Sequence, residues 1–142
     1  MNQIIDGLPA GFYTDPSTFQ VERRMIFANN WLYAAHLAEM PNAGDFVACE
    51  IAGFPLLLIR QPDGSVSGLH NICRHRGAPL AAHGCGKLQN ERITCKYHGW
   101  SYKGTGEIAV VPNLLPISEE DRANLSLRSV RTFIWLFGPA CG

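Results

Sequence analysis

The chain has no excess of either charge, no long hydrophobic run and no pattern of paired cysteines. Twelve basic residues balance twelve acidic ones, so nothing in the charge indicates a nucleic acid or an anionic membrane as a partner. The longest apolar run, Phe54–Ile59, is far too short to span a bilayer. The first residues lack a basic segment followed by an apolar one, so no signal peptide is expected. Five cysteines, an odd number, favour a reducing cytoplasm over a disulfide framework.

One region of the chain concentrates the residues that bind metals. Cys73-x-His75 is followed further along by Cys95-x-x-His98, so two short segments each offer one thiolate and one imidazole. Thiolate favours zinc or an iron–sulfur cluster, and imidazole suits zinc or iron. The residue types therefore leave two metal centres open: a single tetrahedral zinc ion, and a two-iron cluster in which two histidines replace two cysteines on one iron.

The mixing of cysteine and histidine within each segment bears on this choice. Structural zinc sites usually pair C-x2-4-C with H-x3-5-H, whereas here each segment contains both residue types. A mixed pair suits two irons, one bound by Cys73 and Cys95 and the other by His75 and His98. A structural zinc module and a set of buried free cysteines with core histidines remain the alternatives.

Around these residues the sequence resembles the Rieske family, and in particular the α subunits of ring-hydroxylating oxygenases, which are non-haem iron enzymes. The similar segments are the two cluster loops, Cys73–Leu80 and Cys95–Tyr102. The resemblance covers nearly the whole chain and implies a Rieske-type [2Fe-2S] cluster as cofactor, with no catalytic residue of the oxygenase reaction in this chain. The cofactor-binding and metal-ligating residues that it implies are Cys73, His75, Cys95 and His98.

Other positions in the loops indicate a branch of the family. Respiratory Rieske proteins carry an extra cysteine in each loop, where this chain has Ala78 and Tyr97, so no disulfide is expected to join the loops. Trp100 stands where the respiratory type has a serine donor, while Tyr102 keeps the other expected donor. The gap between the loops is slightly long for the family, and residues 82–87 are expected to absorb the extra length in a surface loop.

The predicted fold is mostly β, a Rieske-type antiparallel β-sandwich with the cluster-binding loops at one tip, preceded by an N-terminal helix. The expected division is residues 1–40, with a helix that would pack on an absent catalytic domain, and residues 41–142, the Rieske domain. After an irregular lead-in over residues 1–13, Asp15-Pro16 predicts a helix start, and the helix should run to about Asn30. His36 is expected to be structural.

Alternating patterns and turn residues predict the strands and one long loop. Residues 112–123, with an acidic run, are expected to form a polar loop. The predicted strands are Trp31–His36, Asp45–Ile51, Phe54–Gln61, Ser65–Asn71, Ile93–Thr94, Ser101–Tyr102, Glu107–Val110, Leu125–Val130 and Thr132–Phe137.

The resemblance implies one-electron transfer, as the N-terminal part of an oxygenase α subunit that passes electrons to a mononuclear iron. That iron needs two histidines and a carboxylate on one side. The remaining histidines, His36, His70 and His83, are dispersed. The mononuclear Fe(II) is therefore expected only in a full-length protein, and this chain alone is not expected to hydroxylate a substrate.

The expected partners are a ferredoxin or reductase as electron donor and, by the same resemblance, further copies of the chain in a trimer. Arg74, Arg76 and Lys96 surround the loops with positive charge that could attract an acidic donor. A free-standing Rieske ferredoxin is the main alternative function. The predicted N-terminal helix and the Cys-Arg-His sequence of the first loop are less typical of such a carrier.

Overall fold

The computed structural model describes residues 7–112 and 118–135 of the chain. These residues fall into two compact units, one ending at Tyr33 and the other starting at Ala34. No helix within the described residues is long and apolar enough to cross a membrane.

The first unit contains two helices, α1 (Gly11–Thr14) and α2 (Pro16–Met25), and α2 begins where the sequence predicts. The Asp15 carboxylate accepts a hydrogen bond from the Ser17 N–H at 2.8 Å, and Pro16 suits the first helical turn. The sequence predicts an irregular lead-in over residues 1–13, and this is wrong at its end, where α1 begins at Gly11. The helix is also shorter than predicted.

The end of α2 has a local cause. The Asn29 side-chain amide donates to the Arg24 carbonyl at 2.8 Å, and that of Asn30 donates to the Ile26 carbonyl at 2.8 Å. These side chains satisfy carbonyls that a longer helix would bond through its backbone. A short 3₁₀ turn, Phe27–Asn29, takes the place of the last predicted helical turn. None of the residues of α2 is buried.

The second unit is built from two antiparallel sheets, as the sequence predicts. The five-stranded sheet has the order β4-β1-β2-β3-β8, and the three-stranded sheet has the order β5-β6-β7. The strands are β1 (Asp45–Ile51), β2 (Phe54–Arg60), β3 (Val66–His70), β4 (Gly84–Lys87), β5 (Arg92–Thr94), β6 (Ser101–Lys103), β7 (Ile108–Val110) and β8 (Ser129–Val130).

One hydrophobic core joins the two sheets. Leu57, Ile59 and Leu69 from the larger sheet pack in the same buried cluster as Tyr102 and Ile108 from the smaller one. Cys73 and Cys95 belong to this cluster as well, so the metal-binding loops begin in the core. The sandwich thereby provides a rigid base for both loops.

Residues 31–36 do not form the predicted strand. At the end of this segment the His36 ring Nδ1 accepts a hydrogen bond from the Ala38 N–H at 3.1 Å, and the Glu39 carboxylate accepts one from the His36 N–H at 2.7 Å. This reciprocal cap starts a 3₁₀ turn, Leu37–Glu39. The prediction of a strand is wrong, whereas the expected structural role of His36 is confirmed.

The prediction of a surface loop over residues 82–87 is also wrong for its last four residues, which form β4 and pair with the residues Asp45–Ala48 of β1. Gly86 permits this pairing because a Cβ at that position would overlap the Phe46 ring. Lys87 lies 3.5 Å from the Asp45 carboxylate across the same pair of strands. A glycine-rich segment therefore completes the edge of the sheet through contacts that are remote in sequence.

The acidic run predicted as loop begins helix α3 (Glu119–Leu125). The Ser118 hydroxyl accepts a hydrogen bond from the Asp121 N–H at 3.0 Å, and acidic side chains in the first turn favour a helix N-terminus. The predicted strand over 125–130 shrinks to β8. Residues 132–135 of the last predicted strand are irregular, and its remaining residues lie outside the described part of the chain.

Candidate metal centre

The two predicted ligand loops have the same backbone turn. The Cys73 N–H donates to the Ala78 carbonyl at 2.7 Å, and the Cys95 N–H donates to the Trp100 carbonyl at 2.8 Å. In each loop the glycine four residues after the cysteine donates back to the cysteine carbonyl. Gly77 and Gly99 have φ of +73° and +71°, a left-handed conformation that glycine adopts without strain.

This common turn brings all four predicted ligands to one cavity. It has a volume of about 360 Å³ and is lined by Cys73, His75, Arg76, Ala78, Cys95, Tyr97 and His98. The first loop follows β3 and the second connects β5 with β6, so each sheet supplies one loop. The tip geometry expected from the sequence is present.

The cysteine side of the cavity is buried and carries a hydrogen-bond donor. Cys73 is 2% exposed and Cys95 is 3% exposed. The Tyr102 hydroxyl lies 3.3 Å from the Cys73 sulfur and accepts a hydrogen bond from the Arg74 N–H at 3.0 Å. Because the tyrosine oxygen already accepts from this amide, its own proton is available to the sulfur. Burial, followed by the contact with Cys73, raises the pKa of the Tyr102 phenol, which therefore keeps this proton.

The histidine side of the cavity is formed by two rings in edge-to-face contact. The His75 and His98 ring centroids are 4.6 Å apart, and their planes make an angle of 83°. His75 is half-buried and His98 is exposed. Because the rings come from different loops, their contact depends on the packing of the two loops together.

One nitrogen of His75 fits a metal ligand. Its Nδ1 is buried and has no hydrogen-bond partner within the described residues. Burial lowers the pKa of His75, and the neighbouring His98 and Arg76 act in the same direction, so the neutral ring with a free lone pair is favoured. A buried polar atom without a partner is costly in a folded protein, and a metal ion would satisfy it. The donor set of two thiols and two imidazoles fits a cluster of the predicted type.

Asn71 supports the first loop, and sequence reasoning missed it. This residue is buried, and its side-chain oxygen accepts hydrogen bonds from the N–H groups of Leu80 and Ala81 at 3.1 and 3.0 Å. Its amide donates to the Ala81 carbonyl at 2.8 Å. The three bonds join the two ends of the loop. The sequence carries no local signal for this role, because the partners lie nine and ten residues further along the chain.

The other histidines and cysteines of the described residues do not line this cavity. His36 caps a turn, His70 lies in β3, and His83 and Cys85 line a separate groove beside β4. Among residues 7–112 and 118–135, no three His, Cys, Asp or Glu side chains are arranged to hold a single metal ion.

Comparison with known proteins identifies the family. The profile of the Rieske [2Fe-2S] domain matches residues 30–130. The chain is 39% identical over 124 residues to the carnitine monooxygenase oxygenase subunit of Escherichia coli K12, a match that covers 87% of this chain and 33% of that protein. It is 36% identical over 101 residues to the glycine betaine monooxygenase oxygenase subunit of Chromohalobacter salexigens, covering 71% and 22% of the two chains.

Solved structures give the same result for the fold. The apo form of the quaternary ammonium Rieske monooxygenase CntA superposes with a TM-score of 0.78 at 32% identity, over 88% of this chain and 36% of that chain. Naphthalene 1,2-dioxygenase with bound indole gives a TM-score of 0.76 at 34% identity, over 86% and 28%. The chain spans about a third of the length of the carnitine monooxygenase oxygenase subunits that it matches and 22% of that of the glycine betaine monooxygenase subunit. The relatives include carnitine and aromatic oxygenases, so the expected link to aromatic ring hydroxylation fits only some of them.

The matched residues, the two-sheet fold and the shared cavity lead to one conclusion: this chain belongs to the Rieske [2Fe-2S] domain family and is related to the oxygenase subunits of Rieske oxygenases.

Proposed function

We propose that Cys73 and Cys95 bind one iron of a [2Fe-2S] cluster and that His75 and His98 bind the other. The observation that carries this proposal is the single cavity lined by all four side chains. Their division into a buried sulfur side and a nitrogen side nearer the surface matches the division of ligands between the two irons in a Rieske centre. The unpartnered His75 Nδ1 supports the assignment for the histidine side.

The proposed function is one-electron transfer within a larger oxygenase. When bound, the cluster supplies a centre that can accept and release one electron. The residues of this chain would hold it and shield its sulfur side, and the Tyr102 hydroxyl, 3.3 Å from the Cys73 sulfur, would donate a hydrogen bond to it because a metal-bound thiolate has no proton of its own. His98 lines the cavity and is exposed to solvent, whereas His75 is half-buried, so we assign His98 as the place where the electron leaves.

The acceptor in this proposal is a mononuclear Fe(II) site in a separate catalytic domain, which uses O₂ to hydroxylate the substrate. The support is the relationship to oxygenase subunits of which this chain spans about a third. We further propose that residues 41–142 are the Rieske domain and that the helix within residues 1–40 packs on the catalytic domain. The substrate class is left to that domain, since the relatives named above act on different compounds.

We propose that the electron donor is an acidic ferredoxin or reductase. Arg74, Arg76 and Lys96 are exposed next to the predicted ligands in the sequence, and Arg76 also lines the cavity, so their charge would attract an acidic protein surface. We also propose a homotrimer in the cytoplasm, in which the electron passes between subunits. A related quaternary ammonium Rieske monooxygenase transfers electrons between its subunits, and five cysteines suit a reducing compartment.

The direct test is to reconstitute the chain with iron and sulfide and to record its absorption and EPR spectra. A Rieske cluster gives a red-brown protein, with equal amounts of iron and acid-labile sulfide and an EPR signal after reduction. A colourless protein that binds one zinc ion would overturn the cluster assignment and favour the zinc module.

The ligand assignment is tested by H98C. A thiolate in place of a neutral imidazole adds negative charge to the cluster, which disfavours reduction, so the midpoint potential should fall well below that of the native chain. H83C is the matched control, because His83 is exposed and lies outside the cavity. An H98C protein with native spectrum and potential would contradict the assignment.

A further inference from the structure

The two histidines of the metal centre have different surroundings, and Trp100 causes the difference. The Trp100 indole lies on the His75 ring with a centroid distance of 5.0 Å and an angle of 5° between the planes. No such stack with His98 occurs among the described residues, and His98 is exposed. One imidazole is therefore covered on one face by an aromatic ring while the other faces solvent.

The position of Trp100 is fixed from two sides. Its carbonyl accepts the hydrogen bond from the Cys95 N–H that closes the second loop. Its half-buried side chain packs against the hydrophobic core of the sandwich. The indole thus belongs to the second loop, yet it covers the histidine of the first loop. This contact links the two loops in addition to the contact between His75 and His98.

We propose that Trp100 is a positioning residue for the cluster: its indole fixes the plane of the His75 ring and keeps water from that face, so that His98 is the more solvated histidine of the pair. The inference rests on the proposed function, because it assumes that both histidines bind the outer iron. It goes beyond the ligand set by giving the two histidines unequal roles.

The proposal has a measurable electrostatic consequence. With two thiolates and two neutral imidazoles, the oxidised cluster has no net charge and the reduced cluster carries one negative charge. Water stabilises the charged state more than the neutral one, and solvent exposure is one of the factors that set the potential of such clusters. Exclusion of water from one face of the His75 ring therefore lowers the midpoint potential of the cluster, and removing the indole should raise it. Loss of the stack should also let the His75 ring adopt several orientations.

The test compares W100L with W100F in the full chain reconstituted with its cluster. We expect W100L to shift the midpoint potential upward and to broaden the EPR lines of the reduced cluster. W100F keeps an aromatic ring on His75, so both changes should be smaller. W135L is the matched control, because Trp135 is 74% exposed and lies outside the cavity, and it should behave like the native chain.

The outcomes separate this inference from the proposed function. If the native chain gives no Rieske EPR signal, the proposed function falls and the inference falls with it. If the native chain gives the signal and W100L has the native potential and line width, or if W135L shifts as much as W100L, the inference alone is overturned. Should W100L fail to bind iron, W100M fills the space with a flexible side chain that does not hold the ring plane, and it must show the same broadening of the EPR lines.

Discussion

The two ligand loops have almost the same backbone but unequal environments. Residues 73–78 and 95–100 close with the same pair of hydrogen bonds and place a glycine of positive φ at the same point. The histidine comes two residues after the cysteine in the first loop and three after it in the second. The first histidine lies under Trp100, and the second faces solvent. The turn is thus a local property of each loop, whereas the surroundings of each ligand come from the other loop and the core.

The largest effect is expected from removing either cysteine, because both loops begin in the same buried core and each supplies one of its two sulfur atoms. C73S and C95S should each lose the cluster, since a serine hydroxyl does not replace a soft thiolate as an iron ligand. Iron and acid-labile sulfide per chain measure this loss. C85S is the control, because Cys85 is exposed in β4. Full iron content in either of the first two variants would contradict the ligand assignment.

The Tyr102 side chain comes from the end of the second loop, but its hydroxyl contacts Cys73 and Arg74 of the first loop, so Y102F tests a contact between the loops. The change removes the donor to Cys73 and leaves the Arg74 N–H without its acceptor. The midpoint potential should fall, because hydrogen bonds to the cluster sulfurs raise it. The free energy of unfolding should fall by about 1–3 kcal/mol, the usual cost of a buried unsatisfied group. Y33F, which alters an exposed phenol in the first unit, is the control. An unchanged potential in Y102F would rule out this role.

The two loop glycines should respond differently to alanine. Both G77A and G99A force alanine into a left-handed conformation, at a cost of about 1–2 kcal/mol. A Cβ at Gly77 would meet no atom within 4 Å, whereas one at Gly99 would lie 3.2 Å from the Pro112 ring. G99A should therefore be the less stable of the two in urea unfolding. If the two variants lose the same free energy of unfolding, the left-handed backbone conformation alone determines the loss and the contact with Pro112 adds nothing. G11A, where φ is ordinary and space is open, is the control.

The smallest effect concerns His70, in the strand that leads to the first loop. Burial lowers the pKa of His70, and the positive charge of Arg128 lowers it further. The unfolded chain then binds this proton more readily than the folded one. Stability is full above the ordinary value of 6.5 and falls as the pH drops from there through the folded pKa.

Urea unfolding at several pH values measures how steeply the free energy of unfolding falls as the pH drops below 6.5. H70Q should make this slope shallower. The second loop has no such histidine at the end of β5, where Thr94 precedes the cysteine. H83Q, at an exposed position, should keep the native slope. If H70Q has the same slope as the native chain, groups other than His70 cause the loss of stability at low pH.

Sequence patterns predicted most of what lies close together along the chain. The alternation in β1, β2 and β3 and the Asp15-Pro16 helix start are local signals, and the structure confirms them. The predictions failed where partners are distant or where a short signal was overlooked. β4 exists because it pairs with β1, and its glycines have low strand propensity on their own. Ser118 caps α3 at the acidic run, a local signal that reading the run only as a charged surface overlooked.

By itself, the sequence determined the residue types of the centre, because the chemistry of thiolate and imidazole at fixed spacing leaves few possible metals. It also determined the shared turn, since a glycine at the fifth position of each loop supplies the left-handed conformation that closes it. Only the tertiary structure decided that Asn71 joins the ends of the first loop and that Trp100 lies over His75. The reason is physical: these contacts join segments that the folding of two sheets brings together, and no pattern within either segment records its neighbour.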